Sequence, residues 1–443
     1  MNVLELSEQE IIRRNSMNEL RAMGIEPYPA AEYVTNAFST DIKAEFNDDA
    51  EPRQVSVAGR IMSRRIMGKA SFIELQDSKG RIQVYITRDD ICPDEDKEMY
   101  NTVFKRLLDL GDFIGIEGFV FRTQMGEISI HAKKLTVLAK SIKPLPIVKY
   151  KDGVAYDSFE DPELRYRQRY VDLIVNDGVK EKFLKRATVI KTMRAVLDEA
   201  GYTEVETPIL QSIPGGASAR PFITHHNSLD MDLYLRIATE LYLKRLIVGG
   251  FEGVYEIGKN FRNEGMDKNH NPEFTCMELY VQYKDYNWMM SFTEKLLERI
   301  CIAVNGCTET EIDGKTISFK APYRRLPILE AIKEKTGYDL EGKSEDEIRQ
   351  VCKELNMEID DTMGKGKLID EIFGEFCEGT YIQPTFITDY PVEMSPLTKK
   401  HRTNPELTER FELMVNGKEL ANAYSELNDP IDQEERFQDQ HLL

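Results

Sequence analysis

Charged and aromatic side chains alternate with apolar ones along residues 273–282, EFTCMELYVQ. In a strand, successive side chains point to opposite faces. One face is therefore largely apolar, and the other carries Phe274, Cys276, Glu278, Tyr280 and Gln282. The preceding strand places Arg262 and Glu264 on one face by the same rule. A guanidinium binds phosphate or carboxylate, an aromatic ring stacks on a flat base, and carboxylate and phenol oxygens accept from an ammonium group. The pattern predicts a site for a charged ligand, and a solvated sheet face with compensating ion pairs is the alternative.

A second hairpin is predicted at Asn416-Gly417, which is typical of a two-residue type I′ turn. This turn pairs Met414 with Glu419 and places Glu412 diagonally on the same face. Two such carboxylates could share Mg²⁺, or they could be a solvated and mildly repulsive pair. Strict alternation places Asn422, Tyr424 and Glu426 on the face opposite Glu419. All of them line one site only if a β-bulge falls between residues 419 and 422.

The elements that must position these groups predict an α+β protein. Ser7 and Glu10 fit a capping box, which predicts a helix over 7–23. Residues 54–140 then read as three strands, a helix and two more strands, which is the order of an OB-fold barrel. The predicted domains are an N-terminal helix and lead-in (1–50), an OB-fold barrel (51–142), a linker (143–175), and an antiparallel-sheet domain with flanking helices (176–443) that contains a small helical insertion at about 326–380. Within the last domain we expect an amphipathic helix over 178–200, a strand TEVETPIL (203–210) and a helix over 238–248.

Basic residues surround the first turn of the predicted barrel, and Phe72 follows them. Barrels of this kind bind single-stranded nucleic acid by stacking bases on aromatic rings beside basic groups. The alternative is a solvated charged hairpin with Phe72 in the core. The residues alone leave both open; the basic ones are Arg60, Arg64, Arg65 and Lys69.

Composition favours a cytoplasmic enzyme of small molecules. The net charge of −19 and the pI near 5.0 argue against a nucleic-acid partner, although a local basic patch can coexist with them. The six cysteines form no C-x-x-C pair, and no signal peptide or membrane-spanning run is visible. The sequence contains neither G-x-x-x-x-G-K-[ST] nor G-x-G-x-x-G, so a P-loop or Rossmann nucleotide site is not supported.

Several segments resemble the class II aminoacyl-tRNA synthetases from about residue 7 to the last residue. FRNEG (261–265) and HNPEF (270–274) resemble motif 2, and the helix-strand ending at Pro208 resembles motif 1. PGGASARPF, RIATELYLKRL and GKELANAYSELND resemble the lysine members. The resemblance implies ATP-dependent activation of L-lysine to lysyl-adenylate and its transfer to tRNA(Lys). It also implies a homodimer built through motif 1 in the cytoplasm, with no membrane or DNA partner.

The resemblance also implies roles for individual residues. Arg262 and Glu264 are the implied catalytic residues, with Arg262 contacting the α-phosphate and the lysine carboxylate. The amino acid would be surrounded by Gly216, Glu240, Arg262, Glu278, Tyr280, Asn422, Tyr424 and Glu426. ATP would be held by Arg262, Asn263, Glu264, His270, Asn271, Phe274, Glu419 and Leu420, and Mg²⁺ by Glu412 and Glu419. The implied anticodon contacts are Arg65, Phe72 and Gln83.

One part of the family pattern is absent from the sequence. The third motif, a Gly-rich strand and a helix with an ATP-clamping arginine, is not found before Leu443. We expect a truncated chain, and a non-catalytic RNA-binding or regulatory paralogue is the alternative.

Overall fold

A computed structural model describes residues 6–146, 149–151, 154–156, 158–217, 219–267 and 269–441. Five residues of the predicted linker (147, 148, 152, 153 and 157), Ser218 of the segment PGGASARPF and Lys268 of the first hairpin loop lie outside this range. The chain divides into two compact units, with the boundary between Lys180 and Glu181.

The first unit is built on a closed five-stranded barrel with the strand order β1-β2-β3-β5-β4. Its strands are β1 Gln54–Met67, β2 Ala70–Gln76, β3 Arg81–Thr87, β4 Phe113–Arg122 and β5 Ile128–Ala139. Its helices are α1 Glu8–Ala22, α2 Ser39–Ala44, α3 Arg88–Ile91 and a π-helix Met99–Leu107. This confirms the predicted OB-fold.

Alternation explains the barrel wall. Buried and half-buried side chains alternate along β2 and β3, so that Ile73, Leu75, Ile82 and Val84 fill the interior. The predicted capping box of α1 is present, with the Ser7 side chain accepting from the Glu10 N–H and the Glu10 side chain accepting from the Ser7 N–H.

The predicted linker 143–175 contains secondary structure. A short hairpin (β6 Lys149–Lys151 and β7 Val154–Tyr156) precedes two helices, α4 Pro162–Arg167 and α5 Arg169–Val175. Asp161 begins α4 by accepting from the Leu164 N–H at 2.8 Å. The buried Asp172 of α5 accepts from Arg165 and Asn176. These contacts give the segment a folded core that its prolines and charges did not predict.

The second unit combines small sheets with helices, as the α+β prediction requires. The helices are α6 Val179–Glu199, which begins just before the boundary, α7 Glu240–Val248, α8 Tyr286–Asn305, α9 Ile328–Thr336, α10 Glu345–Glu354, α11 Lys365–Phe376 and α12 Pro430–His441. 3-10 turns cover Glu378–Thr380 and Val392–Met394. The strands are β8 Thr203–Glu204, β9 Leu210–Gln211, β10 Ile223–His226, β11 Met231–Leu235, β12 Gly253–Phe261, β13 Glu273–Val281, β14 Glu309–Ile312, β15 Lys315–Ser318, β16 Arg324–Pro327, β17 Thr385–Thr388, β18 Arg410–Val415 and β19 Lys418–Tyr424.

Two sheets carry the residues of interest. One has the order β13-β12-β8, and the other has the order β16-β17-β18-β19. Helix α8 and β17–β19 share a core around Phe386 and Phe411. Helices α9–α11, which lie in the predicted insertion, pack around Ile332, Ile369 and Met414. Among the described residues, no helix is long and apolar enough to cross a membrane.

The prediction of one continuous strand over residues 203–210 is wrong. Only Thr203–Glu204 and Leu210–Gln211 are strands, and they belong to different sheets. Pro208 lies between them, and proline has no N–H to donate to a sheet ladder. Thr207 is held instead by the buried Glu256, which accepts from its N–H at 3.2 Å and from its hydroxyl at 2.6 Å.

Candidate functional site

The first hairpin has the predicted pleat. Strands β12 and β13 pair antiparallel from Gly253↔Val281 to Phe261↔Glu273. Met277, on the predicted apolar face, packs against the cluster of Val196, Leu296 and Ile300 between α6 and α8. The opposite face of β13 is therefore free to present Phe274, Cys276, Glu278 and Tyr280 away from that core.

Arg262 extends the hairpin and has a buried Nε without a hydrogen-bond partner among the described residues. Its backbone N–H donates to the Pro272 carbonyl at 2.8 Å. Its guanidinium carbon lies 5.2 Å from the ring centroid of Phe274, a cation–π distance. Among the described residues, its Nε is buried without a hydrogen-bond partner. A buried N–H without an acceptor is costly, so this group favours an anionic ligand.

The loop between the strands is organised by Asp267. Its Oδ1 accepts from the N–H groups of Asn269 at 2.6 Å and His270 at 2.8 Å, and its Oδ2 contacts His270 Nδ1 at 2.9 Å. The His270 side chain and these N–H groups lower the pKa of Asp267 to about 2. Lys418 beside the second turn donates to Asn269 Oδ1 at 2.7 Å, which joins the tips of the two hairpins.

The second hairpin contains the bulge that a single site required. Asn416 and Gly417 have φ values of +52° and +71°, as a type I′ turn needs. Met414 pairs with Glu419, but Leu413 pairs with Ala421, so Leu420 is the extra residue. Glu412 consequently faces Asn422, whose Nδ2 donates to Glu412 Oε1 at 3.4 Å. Because of the bulge, Glu419 and Asn422 lie on the same face of the sheet, which strict alternation would not allow.

Glu240 and Glu426 form an acidic cluster around a lysine that the sequence analysis missed. Lys244 lies one turn after Glu240 on α7, and its Nζ is 2.5 Å from Glu240 Oε1 and 2.6 Å from Glu426 Oε1. Tyr424 donates its hydroxyl to Glu240 Oε1 at 2.9 Å. Burial, followed by the charges of Glu240 and Glu426, raises the pKa of Tyr424, so the phenol remains a neutral donor.

Glu278 lies on β13 with two donors of its own. It accepts from the Thr239 N–H at 3.3 Å and from the Tyr280 hydroxyl at 3.1 Å. Burial raises the pKa of Tyr280 well above its usual value, and Glu278 and Glu240 add to this effect. Gly216, at φ +89°, lies beside Glu240, where an added Cβ would come within 3.2 Å of the Glu240 Cβ. A side chain there would be strained and would narrow the space next to the carboxylate.

Glu412 and Glu419 form the predicted carboxylate pair, together with an arginine that the prediction omitted. Arg410, two residues before Glu412 on the same face of β18, forms an ion pair with Glu412. Burial raises the pKa of Glu412 to about 7, against the effect of Arg410, and burial likewise raises the pKa of Glu419. Carboxylate oxygens are hard ligands, and burial makes the charges of Glu412 and Glu419 unfavourable. The pair is therefore suited to a divalent cation. Within the described ranges, no group of three or more His, Cys, Asp or Glu side chains is placed so that it could hold a metal ion.

These groups share one surface. The Cys276 thiol lies in the electrostatic range of Glu278, Arg262 and Glu419, and burial, with Glu278 next, raises its pKa to about 11. Tyr424 in turn lies in the range of Glu240, Glu426 and Glu278. The predicted groups that are not drawn into this surface lie on the exposed hairpin loop; they are Asn263, Glu264, His270 and Asn271.

The barrel carries a separate surface. Arg65 on β1 pairs with Phe72 on β2, and its guanidinium carbon is 5.4 Å from the Phe72 ring centroid. Phe72 is half-buried on the outer face of the barrel, so the alternative that placed it in the core is wrong. The Tyr85 ring lies 4.9 Å from Phe72, and Gln83 donates to Ser129 Oγ at 2.9 Å. An aromatic surface beside an arginine is suited to stacking on bases.

Known proteins resemble both units. A family model described as class II tRNA synthetases (D, K and N) matches residues 161–443, and one described as an OB-fold nucleic acid binding domain matches residues 55–138. A lysine–tRNA ligase of Porphyromonas gingivalis is 71% identical over 445 residues, which cover 100% of this chain and 77% of that protein. A lysine–tRNA ligase of Azobacteroides pseudotrichonymphae is 65% identical over 99% of this chain and 88% of its own length. A third, from Christiangramia forsetii, is 64% identical over 99% of this chain and 77% of its own length. The chain therefore belongs to the class II tRNA synthetases of the aspartate, lysine and asparagine group, an enzyme family.

Proposed function

We propose that this synthetase is a lysine–tRNA ligase, which activates L-lysine with ATP and transfers it to tRNA(Lys). The observation that carries the proposal is the convergence of Glu240, Glu278 and Glu426 around Tyr424, on a surface that also includes Arg262 with its unpaired Nε. Relatives that are 64–71% identical are lysine–tRNA ligases, which supports the same conclusion.

The surface formed by Glu240, Glu278, Tyr280, Tyr424 and Glu426 is called the pocket below. Its charges favour lysine over the other two amino acids of the group. Lysine brings two ammonium groups and one carboxylate, which match several carboxylates and one guanidinium. An aspartate side chain would meet Glu278 or Glu426 with a like charge, and an asparagine side chain would leave a carboxylate without its cation. An unpaired buried charge costs more than an unpaired neutral group, so the acidic groups discriminate strongly.

Activation needs positioning and charge neutralisation more than proton transfer. The lysine carboxylate is already ionised near neutral pH, and it attacks the α-phosphorus as the bond to the bridging oxygen breaks and pyrophosphate leaves. We assign Arg262 to the lysine carboxylate and the α-phosphate, because its Nε is buried and lacks an acceptor among the described residues. Phe274, which already lies under that guanidinium, would stack on the adenine.

The remaining nucleotide contacts are assigned from the hairpin tips. Asn263, Glu264, His270 and Asn271 lie on the loop of the first hairpin, and Leu420 is the bulged residue of the second. We propose Glu412 and Glu419 as holders of Mg²⁺, which when bound would neutralise phosphate charge. The raised pKa values of both carboxyl groups support a cation there.

Transfer requires the RNA to be held as well. The 3′-terminal ribose hydroxyl attacks the carbonyl carbon of lysyl-adenylate, and AMP leaves. We propose Arg65, Phe72 and Gln83 as anticodon contacts, supported by the aromatic and basic surface around Phe72. A local site of this kind is compatible with a net charge of −19.

We also propose a cytoplasmic homodimer. Apolar side chains are exposed along α6 and the segment that follows it, with Leu184 56%, Leu210 49% and Ile213 79% exposed. Exposed apolar patches of this kind mark protein interfaces. The free state of all six cysteines is in keeping with a reducing compartment.

The test is ATP–pyrophosphate exchange by the purified protein with lysine, aspartate or asparagine as the amino acid. Exchange should respond to lysine and remain at background with the other two. Equal exchange with lysine and aspartate would reject the lysine assignment. Exchange at background with all three amino acids would support the non-catalytic alternative.

A further inference from the structure

Lys244 is partly buried between two of the pocket carboxylates. Its side chain is 22% exposed and bridges Glu240 on its own helix to Glu426, which follows β19. Its Nζ also lies 6.0 Å from the ring centroid of Tyr424. A protein cation therefore already occupies the space between two carboxylates that we assign to substrate lysine.

The ligand-free site gives this cation a purpose. Glu240 and Glu426 share Lys244 as their cation, with its Nζ 2.5 Å and 2.6 Å from them. Without Lys244, Glu426 would face the charge of Glu240 with no cation to balance it before lysine binds. Leaving a partly buried charge without a partner is unfavourable, and the group then tends to bind a proton instead.

We propose that Lys244 is a positioning residue that keeps Glu426 ionised in the empty pocket, so that lysine binds without displacing a proton. This proposal rests on the proposed function. It gives Lys244, which does not react, the task of balancing the charge of the pocket. Lys244 acts through Glu426 and Glu240, which would contact the substrate.

The surroundings of Glu426 single it out as the dependent group. Glu278 has the Thr239 N–H and the Tyr280 hydroxyl, and Glu240 has the Tyr424 hydroxyl in addition to Lys244. The charged groups that act on Glu426 are Lys244 and Glu240. Burial raises the pKa of Glu426, Lys244 opposes this effect, and Glu240 reinforces it. Lys244 itself remains charged, because the two carboxylates outweigh the effect of burial on its pKa.

Removing the cation gives a defined change with pH. In Lys244→Met, Glu426 should take up a proton near neutral pH, and lysine can bind only after that proton has left. The affinity of Lys244→Met for lysine should therefore rise with pH, by up to about tenfold per pH unit, until the pH reaches the pKa of Glu426 in the lysine-free variant. The wild type and Lys244→Arg, which retain a cation, should show no such rise over the same range.

The first experiment needs no ligand. Infrared spectra of the ligand-free full chain should show an additional protonated-carboxyl band in Lys244→Met relative to the wild type, and raising the pH should remove it. The band should be absent from Lys244→Arg and from the double variant Lys244→Met with Glu426→Gln. If Lys244→Met does not fold, Lys244→Gln serves in its place. A folded variant without the band, or a band that survives Glu426→Gln, overturns the proposal.

The second experiment is calorimetric titration with L-lysine in buffers of different ionisation enthalpy. Lys244→Met should release about one proton per lysine bound below the pKa of Glu426, and the wild type should release none at this site. A loss of affinity in Lys244→Met that is equal at every pH would indicate a merely structural role and overturn the proposal. If the wild type does not bind lysine, the proposed function fails. The infrared experiment still tests the effect of Lys244 on Glu426, because it needs no ligand.

Discussion

Glu278 offers the sharpest test of how the pocket recognises an ammonium group. The substitution Glu278→Gln preserves the shape of the side chain but removes its charge. Glu278 accepts from the Thr239 N–H and the Tyr280 hydroxyl, which leaves its remaining lone pairs for the substrate. The glutamine can still accept from Thr239, but its NH₂ group would face other donors.

The size of the effect follows from the loss of a charge-assisted hydrogen bond. Hydrogen bonds to charged groups contribute about 1.5–3 kcal/mol. Since about 1.4 kcal/mol is a factor of ten, the lysine KM of Glu278→Gln should rise roughly 10- to 150-fold. The ATP KM should stay within about threefold of the wild type, because Glu278 has no assigned contact with the nucleotide.

The assay is ATP–pyrophosphate exchange, with lysine varied at saturating ATP and ATP varied at saturating lysine. Glu273→Gln is the matched control, since it makes the same change on the same strand. Its carboxylate forms an exposed ion pair with Lys259 at 3.1 Å, and such pairs contribute little. Parallel losses for lysine and ATP, or an equal loss in the control, would refute the ammonium role.

Three further predictions concern other parts of the molecule. Arg262→Ala should lower kcat for exchange by about 100- to 1,000-fold, because it removes charge stabilisation at the α-phosphorus; unchanged circular dichroism checks the fold, and near-normal exchange would contradict the assignment. Phe72→Ala should raise the tRNA KM by roughly 5- to 150-fold, from a stacking contribution of about 1–3 kcal/mol, and leave pyrophosphate exchange unchanged; an effect on exchange instead would argue against an RNA-binding role. Arg236→Met should lower the free energy of unfolding by about 3–5 kcal/mol in urea, because the buried Glu256, now 2.7 Å from Arg236 Nη1, would lose its cation; wild-type stability would contradict this reasoning.

Local patterns predicted the parts of the site that depend on short-range rules. The capping box before α1, the Asn416-Gly417 turn and the hairpin of β12 and β13 all appear as expected, because each depends on residues close in sequence. The succession of barrel strands along the chain was predictable for the same reason, since alternation and turn residues define each strand.

Features that depend on distant partners were not predicted. The segment 203–210 has strand-forming residues, but the Glu256 side chain takes the Thr207 N–H, and Pro208 has no N–H to donate. Lys244 could have been noticed, because it lies four residues after Glu240 on a predicted helix. Its second partner, Glu426, is far away in sequence, and therefore its role could not be inferred from the helix alone.

The extra residue at Leu420 shifts the phase of a two-residue repeat. Before Leu420, the tight turn sets which face of the sheet each side chain points to. After Leu420, pairing with Phe411 and Arg410 sets it. The positions that we propose for Mg²⁺ and for lysine can therefore lie on one strand although they follow different alternation patterns. For protein engineering, transplanting this ribbon into another scaffold must copy its length as well as its side chains, because a strictly regular ribbon with the same sequence would turn half of the groups outward.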